Sequence, residues 1–206
     1  MKEFKNYLCI DGKKIELTDE QVRSLIGRNV KLTDIPVGET FKVTDGGEEY
    51  EFIVLEHSKE TTAVILKDVL VNSAFGDSND FRGSKVEAIL DDFGSKIAGI
   101  IGERNLITHS VDLTSDDGLK DYGKAQKKVS LLTCNHYRKY VEILDKYKLD
   151  KYWWLVTPYS TPKHDDEAWI KCVSPRGGIF NDDYDGGFGV RPFCIFNSNI
   201  FVSKEN

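Results

Sequence analysis

Over most of this chain apolar positions fall on alternate residues or in short unbroken runs; helical spacing appears in only a few places. Thr40–Val43 and Tyr50–Glu56 read as strands around Asp45-Gly46-Gly47, a turn sequence suited to positive φ. Thr62–Leu70 follows as a β-branched and aliphatic run, which completes an antiparallel meander. Behind Ser84-Lys-Val-Glu87, a capping box, the residues Val86, Ile89, Leu90, Phe93, Ile97, Ile100 and Ile101 lie three or four apart, so the spacing predicts a core-facing helix. Gly94, inside that pattern, is a candidate break. Asn105–Leu113 reads as a strand, Thr114–Lys128 as an exposed loop nearly free of large apolar residues, and Val129–Cys134 as a short buried strand. Tyr137, Tyr140, Val141 and Leu144 mark a second helix, entered near Thr133 or Asn135.

The densest run of short apolar segments is Tyr152 to Val202, which holds all three tryptophans. Strands are predicted at Tyr152–Thr157, Glu167–Val173, Gly178–Asn181, Phe188–Phe196 and Ile200–Ser203, with turn signals between them, and such spacing implies antiparallel sheet. Upstream, residues 5–17 alternate loosely about Asp11-Gly12, as in a small hairpin. Thr18-Asp-Glu-Gln21 caps a short helix carrying Val22, Leu25 and Ile26, and Arg28 to Pro36 reads as a connector. The chain thus divides into an N-terminal hairpin and helix segment, 1–36, and a main domain, 37–206. The segment is either an arm packed on the domain or a handle for docking or homo-oligomers. Two main helices packed on short antiparallel β-sheets make the expected fold class α+β.

Composition narrows the function classes. The 206 residues carry a net charge of −6 and no basic run with interleaved aromatics, which argues against nucleic acid as a partner. No apolar stretch approaches the ~18 residues of a membrane span, and the N-terminus has no apolar run of signal-peptide type. A cytoplasmic protein is expected, or a virion-associated one if phage-encoded. Cys9, Cys134, Cys172 and Cys194 lie far apart with no zinc-type spacing, and reduced, buried thiols are the expected state. Cys172 and Cys194 both fall in apolar strands and are candidates to be neighbours.

Asn72-Ser73-Ala74-Phe75, Asp80-Phe81-Arg82, Leu90-Asp91-Asp92-Phe93, Val129-Ser-Leu-Leu132, Trp153-Trp154-Leu155 with Thr157-Pro158, and Gly189-Val190-Arg191-Pro192 occur in that order. Over roughly residues 37–203 this resembles the DUF6273-type domains of bacteria and phages. Those are in turn similar to the formylglycine-generating-enzyme-like branch of the C-type-lectin fold. Val156 stands where that family often has Arg after Trp-Trp-Leu. The resemblance implies a C-type-lectin-like fold. It does not imply an enzyme, because one fold hosts many functions.

Trp153 and Trp154 are adjacent in a strand and point to opposite faces. Both are core, or one is core and the other is displayed. Trp169 is weighed in the same way. Asn181, Asp183 and Asp185 followed by Gly186 imitate the start of an EF-hand loop, but Pro192 falls where that loop needs its bidentate Glu, so an EF-hand is rejected. No cofactor is expected. An irregular calcium site on Asp182, Asp183 or Asp185 with Asp165 and Asp166 is the one metal alternative. By analogy with lectin-like binding proteins, the resemblance places ligand-binding positions at Asp165, Asp166, Trp169, Asn181, Asp183, Tyr184 and Asp185, residue types that recognition surfaces use. The functional expectation is a non-enzymatic domain that presents the loops at 158–166 and 181–187, with the 114–128 loop nearby, to a protein or glycan ligand. The alternatives are a cysteine- or metal-dependent enzyme of the formylglycine-generating-oxidase class and a structural component of a phage particle. No HExxH, P-loop, Rossmann or nucleophile-elbow motif supports a reaction. Arg191, held extended by the proline after it, is expected in a structural ion pair or against an aromatic ring.

Overall fold

The computed structural model describes residues 7–10, 13–16, 29–45 and 47–204. The helix expected after Thr18, and with it most of the proposed oligomerisation handle, lies outside these residues. The N-terminal hairpin is present as β1 (Tyr7–Ile10) paired antiparallel with β2 (Lys13–Glu16). Residues 29–36, expected as a connector, form part of the main body instead. β3 (Asn29–Lys31) adds to a large sheet, and Leu32 and Ile35 are buried in its core. His57 fastens this stretch: its Nε2 donates to the Ile35 carbonyl at 2.8 Å, which leaves Nδ1 to accept from the Thr62 hydroxyl at 2.9 Å.

The predicted meander forms as β4 (Thr40–Asp45), β5 (Glu48–His57) and β6 (Thr61–Leu66). The chain continues through β7 (Val71–Ser73), α1 (Lys85–Ile101), β8 (His109–Asp112), β9 (Lys124–Lys127), β10 (Val129–Ser130), α2 (Cys134–Leu144) and β11 (Trp153–Pro158). It ends with β12 (Trp169–Val173), β13 (Ile179–Asp183), β14 (Phe188–Val190), β15 (Phe193–Asn197) and β16 (Phe201–Ser203). A seven-stranded sheet has the order β10-β15-β6-β5-β4-β16-β3 and a five-stranded sheet the order β13-β12-β11-β14-β7.

The C-type-lectin-like α+β expectation, two main helices on short antiparallel sheets, is overturned. The architecture is mostly β, and α1 and α2 are the only α-helices among the described residues. The five-stranded sheet is also mixed, because β11 and β14 run parallel. The physical reason lies in the C-terminal strands, which do not stay together. β12, β13 and β14 join β11, whereas β15 and β16 cross to the meander at Arg191-Pro192. Thr114–Lys128, expected as a loop, likewise contains β9, which pairs with β8. Lys127 of β9 holds its ammonium between Glu87 and Asp91 of α1, at 2.8 Å from each, so a lysine-rich strand is fastened by charge rather than by apolar burial.

Strand alternation divides the interior in two. Phe52 and Val54 of β5, Val64 of β6, Trp154 and Val156 of β11 and Phe196 of β15 face one apolar cluster; Ile53, Leu55, Ile65, Trp153, Leu155 and Phe193 face the other. α1 fills the first with Val86, Leu90, Phe93 and Ile97, and α2 fills the second with Tyr137, Tyr140 and Leu144. Strands buried on both faces read as continuous apolar runs, which is why Trp153 to Val156 carries no polar residue. Both tryptophans of the pair are core, at 2% and 0% exposure. Both helices start where their caps predict: the hydroxyls of Ser84 and Thr133 accept from the amides of Glu87 and His136, each at 3.0 Å. Gly94 does not break α1. It makes room for β10, because a Cβ there would meet Val129 Cγ2 at 3.1 Å.

Phe193 lies between two half-buried histidines, with the His109 ring edge-on at 5.4 Å and the His136 ring stacked at 5.5 Å. His109 Nε2 meets the Ser130 hydroxyl at 2.9 Å, while Nδ1 of His136 is buried without a partner among the described residues. Burial pushes His109 down to about 4 and also lowers His136. A lowered folded pKa means the unfolded chain takes up the proton first, so stability present above pH 6.5 is lost as pH falls toward 4. Between pH 7.5 and 4.5 the His109 proton is expected to cost about 2–3 kcal/mol, mostly before the carboxylates titrate. Urea midpoints at the two pH values measure it, and His109→Phe is expected to flatten the slope.

Candidate functional site

The exposed surface of interest begins where β11 runs out. Trp153 and Trp154 sit opposite Val173 and Cys172, but Pro158 sits opposite Ile170, so β11 carries a bulge between Trp154 and Pro158. Beyond it the Tyr159 amide donates to the Trp169 carbonyl at 2.9 Å, which sets Tyr159 directly across from Trp169. Trp169 is in turn opposite Asp183, and Lys171 opposite Asn181. Directly opposed residues share a face, so Tyr159, Trp169 and Asp183 form one cross-strand row with Lys171 and Asn181 beside it. Tyr159 and Trp169 are each 43% exposed, which sets them apart from the buried Trp153 and Trp154.

Lys171 organises the neighbourhood. Its side chain is nearly buried, and its ammonium lies 4.9 Å from the centre of the Tyr159 ring and 2.8 Å from Asp116 Oδ2. Asp116 brings with it the loop after β8, whose Asp116 amide also donates to the Pro158 carbonyl at 2.9 Å. Asp117, next along, accepts from the Ser115 hydroxyl, from Ser160 Oγ at 2.6 Å and from His164 Nδ1 at 3.0 Å. These donors, Ser115 first, hold its carboxyl well below the usual carboxylate range. Asp116, Asp117, Tyr159, Ser160, His164 and Asp166 line a cleft of about 360 Å³. From below, fully buried Asn79 locks the loops. Its Nδ2 donates to the carbonyls of Trp169 at 3.0 Å and Ser160 at 3.3 Å, and its Oδ1 accepts from Tyr122 at 2.7 Å.

The predicted residues divide accordingly. Trp169, Asn181 and Asp183 share the face. Asp166 reaches it through Oδ1, which accepts from the amides of Ala168 at 3.1 Å and Trp169 at 3.2 Å. Asp165 is exposed in the turn before them, in a left-handed conformation with φ 56°. Tyr184 is half-buried against the first core cluster, and its backbone ties Ala168 to Phe75. Asp185 is exposed in the turn after β13. Tyr159, Lys171, Asp116, Asp117 and His164 were missed. Tyr159 directly follows the apolar run, and Asp116 and Asp117 belong to the polar 114–128 loop, which carries no apolar pattern to place it.

Ser160, His164 and Asp117 do not form a nucleophilic relay. Serine and imidazole both donate to the same carboxylate, so the imidazole is not placed to take the serine proton. The thiols Cys134, Cys172 and Cys194 are buried and unbridged. Burial pushes Cys172 up to about 12 and raises Cys134 and Cys194, which keeps these sulfurs protonated and weakly nucleophilic at neutral pH. Cys172 and Cys194 line the same core cluster from different sheets. Among the described residues no three His, Cys, Asp or Glu side chains gather as a metal-ligand group. No helix among them is long and apolar enough to cross a membrane. Comparison with family models, with curated proteins and with solved structures finds no match. The resemblance to DUF6273-type domains therefore stands on the sequence motifs alone.

Proposed function

We propose that this chain is a non-enzymatic recognition domain, bacterial or phage-derived as its motifs suggest, that binds a protein or glycan through the face around Trp169. The observation that carries this reading is the exposed pair Tyr159 and Trp169, side by side on a sheet whose other tryptophans are fully buried. Two adjacent exposed aromatics make an apolar patch of the kind a partner covers, and tyrosine and tryptophan give rigid, amphipathic contact area at low entropic cost. Asp183, Asn181, Asp166 and His164 supply directional polar groups around the pair, and the Asn79 and Asp117 bonds hold the loops in one arrangement before a ligand arrives.

The test is capture from lysed bacterial cells by the immobilised wild type and by a Tyr159→Ser/Trp169→Ser variant, with calcium and with chelator. The wild type is expected to retain a partner that the variant loses. Two removed aromatic anchors weaken such a complex by about 100-fold or more. Equal retention by both proteins places binding elsewhere on the chain.

A further inference from the structure

β13 is an edge strand: among the described residues no strand lies beyond it. Its hydrogen bonds show which groups are spare. Ser174 donates to the Gly178 carbonyl and Tyr184 donates to the Ala168 carbonyl, both at 2.9 Å, so the even-numbered residues of β13 face β12. The odd-numbered amides and carbonyls point outward. Asp183 satisfies its own: its amide donates to Asp182 Oδ1 at 2.9 Å, and its carbonyl accepts from Gly186 at 3.0 Å. Ile179 and Asn181 are left, among the described residues, with no partner for the amide or the carbonyl. The side chains of Asn181 and Asp183 project on the Trp169 face, and Phe180, 54% exposed, projects on the other.

We infer that β13 takes an extended basic segment of a protein partner as a sixth strand. The inference rests on the recognition face described above and names what fits it. A strand added outside β13 would pair its backbone with Ile179 and Asn181 and send alternate side chains onto the face of Trp169 and Asp183. The charges there select a basic occupant. Asp182, Asp183 and Asp185 lie in and just after β13, and Asp165, Asp166 and Glu167 precede β12. Lys171 is already engaged by Asp116, Arg176 stands at the opposite end, in the turn before β13, and exposed Lys163 before Asp165 leaves the carboxylates well in excess. An arginine or lysine across from Asp183 pairs with its carboxylate, and its stem reaches toward the Trp169 ring. A second copy of β13 brings its own Asp182, Asp183 and Asp185 to this edge and is disfavoured.

The probe is a fluorescein-labelled heptapeptide with arginine at alternate positions between threonines, compared with its citrulline twin by fluorescence anisotropy. The arginine peptide is expected to bind at least about tenfold tighter than the citrulline peptide. Asn181→Pro removes an outward amide without touching the β12 ladder and is expected to bind about tenfold or more weaker than Asn181→Ala, which loses the same side chain but keeps the amide. Asp182→Lys/Asp185→Lys, both exposed, weakens it independently of the proline. Equal affinity for the two peptides, unchanged binding by Asn181→Pro, or no saturable binding up to about 1 mM overturns the inference. A dimer abolished by Asn181→Pro also overturns it, by giving the edge to a second copy. In each failure, partner capture that depends on Tyr159 and Trp169 leaves the recognition face itself standing.

Discussion

Arg191→Ala is expected to lower the unfolding free energy by about 4 kcal/mol, from two stranded carbonyls and a buried void. Of the four places where the chain passes between the two large sheets, the two short links, from β6 to β7 and from β14 to β15, run side by side. The amides of Leu66 and Leu70 donate to the carbonyls of Pro192 and Val190. Arg191 staples these links: Nε donates to the Leu66 carbonyl at 2.9 Å, Nη2 to the Lys67 carbonyl at 2.8 Å, and the guanidinium lies 5.0 Å from the centre of the Trp153 ring. Burial lowers its pKa only to about 10, so it remains charged at neutral pH. Among the described residues no carboxylate is within ion-pair distance of it, so of the two partners expected from sequence the aromatic one is found. Arg191→Lys keeps the charge but loses the fork and should recover less than half of the loss. Denaturant midpoints measure both, and a midpoint for Arg191→Ala within error of wild type would dismiss the staple.

Gly189→Ala is expected to cost about 3 kcal/mol by overpacking the same joint. A Cβ at Gly189 would lie 2.3 Å from Val69 Cγ1, 3.0 Å from Val69 Cβ and 3.3 Å from Trp153 Cβ. Gly189 is registered between Trp153 of β11 and Asn72 of β7, so neither neighbouring strand can draw back without breaking a ladder. The cost should be specific to Val69. In a double-mutant cycle Val69→Ala is expected to be mildly destabilising alone and to restore most of the stability of Gly189→Ala. Simple additivity of the two would show that the crowding lies elsewhere.

The two predictions also show what the chain's pattern can and cannot say. The meander was legible because β-branched runs flank a glycine turn, and the helices were legible because Ser84 and Thr133 cap periodic apolar stretches. Hydrophobic alternation reports that a segment is a strand but not which sheet receives it. The crossing at Arg191-Pro192 depends on contacts with residues 66–70, more than a hundred positions away. β9 was missed because electrostatic fastening of Lys127 leaves no apolar signature. At the face proposed for recognition, Trp169, Asn181 and Asp183 could be chosen by residue type and by their place between turns. Tyr159 could not, because its position across from Trp169 follows from the bulge in β11, which shifts the register after Trp154. Tyr184 is a contact residue by type, and its half-buried ring packs against the first core cluster.

The central claim is that a partner covers Trp169. Trp153 and Trp154 are buried and Trp169 is exposed, so collisional quenching of the native protein by acrylamide reports almost entirely on Trp169. The decisive measurement is that quenching, with and without the partner captured by the wild-type protein. The account predicts that the quenchable fraction seen in the free protein disappears at saturation, and that Trp169→Phe shows no such fraction at the outset. A saturated complex in which Trp169 is quenched as readily as in the free protein would contradict it.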